Sequence, residues 1–321
     1  MKAKEIKDGV FGILAREKGI KVYFVLKKED KRIVKNVNIV DELEECDNTT
    51  QDLLKGCCDA LESLFSEYDD TEDILKLSSA DERKNGLYYY DLDDEPLELE
   101  LMRKTIANGK VIEQFDFKTD SLEEIAALIM VVGDAEQQIV VYKQQYPISL
   151  LRRDKCMLMP IPHRNRLKRV QDDILRVDFN FQMCLVKGKV LVLDIDKMEK
   201  LCSFHTLLVN EAKKSIDLIS NLGILDNVQS LEDELDNIRF VRKLTRIYKD
   251  SKVLGKVSND RIILFAQKHK YFVNNPLKIV GDKIVLDTKR SKDTFVKLMN
   301  DDFLVSELTS EEYESLAKNG V

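Results

Sequence analysis

Twelve glycines and five prolines are few for 321 residues, and they never fall into the pattern of a phosphate-binding turn. Neither G-x-G-x-x-G nor G-x-x-x-x-G-K-[ST] occurs, so a dinucleotide fold and a P-loop both lack support. Histidine is scarcer still. His163, His205 and His269 form no H-E-x-x-H pair and no Cys/His cluster at metal-ligand spacing, and there is no G-x-S-x-G elbow. His205 follows Phe204 in an amphipathic stretch and reads as a structural residue. No run approaches the ~20 apolar residues of a membrane-spanning helix. The longest, such as Ile125 to Val132 and Val190 to Leu193, are core-sized and bounded by charge. Met1 to Asp8 contains no apolar signal segment, so the protein is expected to stay in the compartment where it is made. Cysteines occupy positions 46, 57, 58, 156, 184 and 202 without a C-x-x-C pair, and the adjacent Cys57 and Cys58 cannot form an unstrained bridge. They read as six reduced, mostly buried thiols, which leaves the sequon Asn48-Thr49-Thr50 without meaning. No cofactor and no resident metal is expected, and no motif identifies an enzyme.

What the chain has is charge, unevenly divided. The net charge is −7, but residues 1–150 carry −13 and residues 151–321 carry +6. The length favours two domains, and the asymmetry suggests two parts with different partners. The expected division is an acidic N-terminal domain of mixed α/β character, 1–135, and a basic C-terminal domain, 136–321, with a β-hairpin core followed by helices. The fold class is α+β.

In the first part, Val10 to Leu14 and Lys21 to Leu26 read as strands around a turn at Lys18-Gly19. The acidic segment Asp41 to Asp47 leads into an amphipathic helix from Gln51 to Phe65. A second acidic run, Asp91 to Glu95, precedes the alternating Leu97, Leu99 and Leu101, which fit a half-buried strand. Ser121 to Met130 reads as a helix, with Ser121 and Glu124 forming a capping box. Strands follow at Ile139 to Tyr142, Met157 to Met159, Phe179 to Val186 and Val190 to Asp194, the last two joined by a tight turn at Lys187-Gly188. Helices are expected over 196–222, 237–250 and 258–272. A hairpin turned at Gly281-Asp282 comes next, then helices at 290–299 and 310–318 around a strand, Phe303 to Val305.

Two constellations carry chemistry. In the first, Asp178 precedes the hairpin whose second strand ends in Asp194-Ile195-Asp196-Lys197. Two carboxylates and a lysine at a strand end suit Mg²⁺ and phosphodiester hydrolysis. Alternation, however, puts Asp194 and Asp196 on one side and points Lys197 away. A metal-dependent nuclease using Asp178, Asp194, Asp196 and Lys197 is therefore the alternative reading. The second constellation is basic. Arg152, Arg153, Lys155, Arg164, Arg166, Lys168 and Arg169 face a single Asp154. Helix 237–250 puts Arg239, Arg242, Lys243, Arg246 and Lys249 on one face, with Phe240, Leu244, Ile247 and Tyr248 opposite for the core. From Arg239 to Lys297 there are 16 Lys and Arg against five acids. Such density suits the phosphates of DNA, where each contact releases condensed counterions.

The stretch Ile174-Leu175-Arg176-Val177-Asp178-Phe179-Asn180-Phe181-Gln182 is followed by Lys187-Gly188-Lys189-Val190-Leu191-Val192-Leu193. Together with the ending Leu298 to Thr309, Tyr313 and Lys318 it resembles the KwaB component of the Kiwa anti-phage defence system, over about residues 135–321. The resemblance lies in patterns of fold and brings no catalytic residue with it. It implies a bacterial cytoplasmic protein that binds DNA, blocks phage replication and late expression, and forms a homodimer or higher oligomer. It also implies recruitment to the inner membrane by a KwaA-like membrane protein. A third class, an adaptor whose basic face docks on an acidic protein, stays open.

Overall fold

The computed structural model describes the chain apart from residues 1, 17, 40–47, 80–85, 108–110, 147–148, 152–157, 162–165, 170–172, 203, 307 and 315–321. Cys46, Cys156, His163, Lys155, Lys318 and the acidic segment Asp41 to Asp47 thus lie outside the described residues. The chain forms two compact units. One comprises Met1–Leu75, Asn85–Tyr89 and Leu97–Met198, the other Lys76–Lys84, Tyr90–Pro96 and Glu199–Val321.

The first unit contains α1 (Ala3–Leu14), β1 (Gly19–Lys28), β2 (Lys31–Val37), α2 (Thr49–Ser66), β3 (Leu75–Lys76), β4 (Tyr88–Tyr89), α3 (Leu97–Ala107), β5 (Ile125–Gly133) and β6 (Gln138–Gln144). It continues through β7 (Leu150–Leu151), β8 (Leu158–Ile161), β9 (Arg166–Arg169), β10 (Ile174–Leu175), β11 (Met183–Val186) and β12 (Lys189–Val192) into α4 (Ile195–Leu201), within which the unit ends at Met198 and the second resumes at Glu199. Eight strands make one sheet in the order β2-β1-β5-β6-β11-β12-β4-β3. Helices α1 and α2 cover one face, where Ile6, Val10, Cys57 and Leu61 meet Phe24, Leu128, Val141 and Cys184 in a single core. Helix α3 packs on β5 and β6. The division expected at residue 135 falls within the hairpin of β5 and β6, which pair from Gly133↔Gln138 to Ala127↔Gln144. The sheet carries the first unit on to Met198.

Four local expectations are corrected. Val10 to Leu14 is the end of helix α1, whose buried Ile6, Val10, Ile13 and Leu14 repeat with helical spacing. Leu97, Leu99 and Leu101 lie in helix α3, where alternating Leu and Glu satisfied both periods and Pro96 stands at its start. The capping box at Ser121 forms, but it caps one 3₁₀ turn, Leu122–Glu124, before the chain extends into β5. Strand β5 is buried on both faces, so its apolar run lacks the alternation that marks a strand. In the tail, β16 (Glu312–Glu314) pairs with β15 (Phe303–Val305) where a helix was expected. The β11–β12 turn is as read. Lys187 and Gly188 both have positive φ, 48° and 76°, as a two-residue hairpin of the right twist requires.

The second unit is mainly helical: α5 (Phe204–Leu222), α6 (Gln229–Glu232), α7 (Ile238–Asp250), α8 (Asn259–Lys268), α9 (Lys270–Asn274) and α10 (Lys289–Met299). The hairpins β13 (Lys278–Val280)–β14 (Lys283–Val285) and β15–β16 complete it. Helix α7 packs along α5. Ser215 donates to the Leu244 carbonyl at 2.5 Å and Thr245 to the Leu208 carbonyl at 3.1 Å. The class is α+β, as expected.

Candidate nucleic-acid interface

Helix α7 has its apolar stripe of Phe240, Val241, Leu244 and Ile247 buried, while Tyr248 is half-buried. Its cations, expected to face solvent, face carboxylates instead. Arg242 donates through Nε and Nη2 to Glu199 Oε1 at 2.9 and 2.6 Å, with both side chains only 11% exposed. Lys243 pairs with Asp293 at 2.6 Å, and Arg246 with the buried Asp302 at 3.3 Å. Lys249 holds Asp93 and lies 3.3 Å from the buried Glu211. Arg239 is engaged as well. A row of cations on one face repels itself, and the second unit surrounds this one with acids from several segments. A free phosphate-binding face is therefore not found on α7, and a phosphate there would have to displace a carboxylate.

One of those segments is the acidic run Asp91 to Glu95. Asp91 accepts from the Ser78 amide at 3.0 Å. Asp93 accepts from Lys249, from Lys214 at 3.0 Å and from the Tyr248 hydroxyl at 2.9 Å. Those hydrogen bonds, that from Lys249 foremost, hold the Asp93 carboxyl well below its ordinary range. Most of this run's charge is thus satisfied within its own unit.

The carboxylate set is partly assembled. Lys143, at the end of β6 and only 2% exposed, lies 3.1 Å from Asp178. Burial raises the Asp178 carboxyl, but the hydrogen bonds from Lys143 and the Asn180 amide outweigh it and leave the group low. Lys197 does not point away. It turns back to Asp194 at 2.6 Å, and that bond raises its pKa, with Tyr146 and Asp178 adding to the effect. Asp196 is exposed and stands apart. Asp178 and Asp194 are each matched by a lysine, so the cluster offers a cation no excess negative charge. Among the described residues no group of three or more His, Cys, Asp or Glu side chains could hold a metal ion. Lys143 was missed in the sequence because it stands one position past the apolar run Ile139 to Tyr142 that marks the strand, where an exposed polar end is expected. The thiols of Cys57, Cys58 and Cys184 are buried, and burial pushes Cys184 up to about 12.

The remaining basic segment behaves differently. Strands β8 and β9 form a two-stranded ribbon separate from the large sheet, in register from Leu158↔Arg169 to Ile161↔Arg166. Arg152, Arg153 and Arg164 lie outside the described residues. In β9, Arg166, Leu167, Lys168 and Arg169 are all exposed. Arg166 and Lys168 make no ion pair among the described residues, while Arg169 already has a partner. Both faces of the strand are open, which alternation in a half-buried strand would not allow. A two-stranded ribbon is narrow enough to enter a DNA groove.

Comparison with known proteins adds a family. A family model described as Kiwa protein KwaB-like matches residues 122–309. The Kiwa protein KwaB of Escherichia coli O55:H7 (strain RM12579 / EPEC) is 26% identical over 323 residues, covering 99% of both chains. No solved structure matches the chain.

Proposed function

The chain belongs to the KwaB-like family of Kiwa proteins, and from that premise we propose that it serves anti-phage defence by holding duplex DNA on the basic ribbon β8–β9. The observation that carries this reading is the exposure of Arg166 and Lys168 on β9, with no ion pair to either among the described residues, set against the carboxylate-matched cations of α7. The contact is to phosphates, so it is largely independent of sequence and weakens steeply with salt. Arg152, Arg153 and Arg164, close by in the chain, extend the same basic sequence. DNA held in this way blocks phage replication and late expression. No helix among the described residues is long and apolar enough to cross a membrane. Recruitment to the inner membrane therefore falls to a KwaA-like membrane protein, whose basic cytoplasmic loops suit the acidic sequence Asp41 to Asp47. A homodimer or higher oligomer multiplies the number of ribbons on one DNA molecule.

A gel-shift series with and without Mg²⁺ or Mn²⁺ tests the reading. A 30-base-pair duplex should be retarded and recovered at full length. Shortening that is lost in Asp178→Asn or Asp194→Asn would establish the nuclease instead. Absence of any shift at low salt, with binding to an acidic protein, would leave the adaptor.

A further inference from the structure

The cleft where β1 begins, β2 ends and α2 starts belongs to none of the surfaces above. It encloses about 310 Å³ and is lined by residues 20–23, 36–39 and Thr50. Strand pairing decides which side chains share a face there. Val22 stands opposite Val37, and Tyr23 opposite Asn36. Side chains alternate, so Val22 and Val37 turn to the core, where Ile20 and Ile39 also pack. Lys21, Tyr23, Asn36 and Asn38 are thereby left together on the opposite face. None of these four side chains has a hydrogen bond or ion pair among the described residues. For Tyr23 this is unusual, since it is only 1% exposed and a phenol so buried ordinarily has a partner for its hydroxyl. Burial also raises its pKa, so the hydroxyl stays a donor at neutral pH. The backbone beneath is fixed. The Asn36 amide donates to the Glu113 carbonyl, and its own carbonyl accepts from the Phe115 amide, both at 2.8 Å.

The set comprises one ammonium, one hydroxyl and two carboxamides, each carboxamide offering a donor beside an acceptor. It fits a ligand with an anionic group and a planar edge of mixed donors and acceptors. A volume near the lower end of ligand-binding clefts suits a mononucleotide and excludes a duplex. We propose that the cleft binds a nucleoside monophosphate, with Lys21 on the phosphate, Tyr23 on the sugar, and Asn36 and Asn38 on the base. Adenine is the base that fits best. Its N6 donor stands beside an acceptor on two edges, one for each carboxamide, whereas the N7 edge of guanine shows two acceptors. No glycine loop cradles the phosphate and one lysine carries that end, so the Kd is on the order of 10 µM. The site is separate from the ribbon and does not rest on the DNA reading.

Isothermal titration of the full-length chain with AMP, adenosine, GMP and inorganic phosphate tests this. AMP should bind at about that affinity, and the other three at least ~ten-fold more weakly. Lys21→Ala should bring AMP down to the affinity of adenosine. Tyr23→Phe should weaken AMP roughly five- to ten-fold, yet melt no lower than wild type, because its hydroxyl has no protein partner to lose. A tyrosine that is only structural gives the reverse, a lower melting temperature with unchanged affinity, and that result overturns the proposal. So does the absence of AMP binding at millimolar concentration, which leaves the cleft to water. AMP affinity unchanged in both variants overturns it as well, by placing the nucleotide elsewhere. Equal binding of AMP, GMP and phosphate removes the base contact on which the assignment stands.

Discussion

Glu199 and Arg242 show what a single residue decides in the second unit. Their side chains are nearly enclosed, and the guanidinium gives two hydrogen bonds to one carboxylate oxygen. Removing one member leaves the other charged and poorly hydrated, which costs more than the pair itself contributes. Glu199→Ala should therefore lower unfolding free energy by about 3 kcal/mol. The double variant Glu199→Ala/Arg242→Ala should recover part of that loss, a coupling that a double-mutant cycle in urea would read. A loss in the double variant equal to the sum of the two single losses would mean that the pair is not coupled. Close packing is just as local at Gly56 in α2, where an added Cβ would stand 2.2 Å from the Phe179 ring. This approach ties the segment before β11 to the helix and explains the glycine inside a helix, where it is otherwise unfavourable.

At the level of elements, α7 and β9 look alike in sequence and differ in structure. Each carries a row of Lys and Arg, but one row is matched by Glu199, Asp293, Asp302 and Asp93, and the other is exposed, with Arg169 engaged and no ion pair to Arg166 or Lys168 among the described residues. Reversal of Arg242, Lys243 and Arg246 to Glu sets carboxylate against carboxylate in three places. Such a variant should melt many degrees below wild type in a thermal scan, whatever it does to DNA. An unchanged melting temperature would show that the pairs contribute nothing. This difference is also the measure of what the sequence could tell. The apolar stripe of α7, the hairpin turn at Lys187-Gly188 and the helices α2, α5 and α10 were legible because each is written in consecutive or periodic residues. The partners of the α7 cations were not, because Asp93, Glu199, Asp293 and Asp302 come from segments far apart in the chain. For the same reason β5 read as a helix: its alternation vanishes when both faces of a strand are buried. Of the candidate site, the position of the basic run Arg166 to Arg169 was legible, and its exposure was not.

For the whole molecule, the many carboxylates held by lysine or arginine set the response to acid. Asp93 and Asp293 in the second unit, and Asp120 and Asp178 in the first, all have lowered pKa values in the fold. A carboxyl whose folded pKa lies below its unfolded value of about 3.9 adds stability that is fully present above that pH. The contribution is lost as pH falls through the folded values. Circular dichroism should accordingly show a stability plateau near neutrality and a steep loss below about pH 4. A fold as stable at pH 2.5 as at pH 7 would contradict the ion-pair account.

The central claim is that the open ribbon, rather than the matched helix, holds DNA, and the salt dependence of binding tests it most directly. Affinity for a duplex should be measured by anisotropy from 50 to 200 mM NaCl, for wild type and for Arg166→Gln/Lys168→Gln. Two lost phosphate contacts should flatten the log–log slope by about 1.8, at ~0.9 per contact, with an unchanged melting temperature because β9 is exposed. A folded ribbon variant that binds with the wild-type slope would contradict the account and return the contact to residues beyond the ribbon.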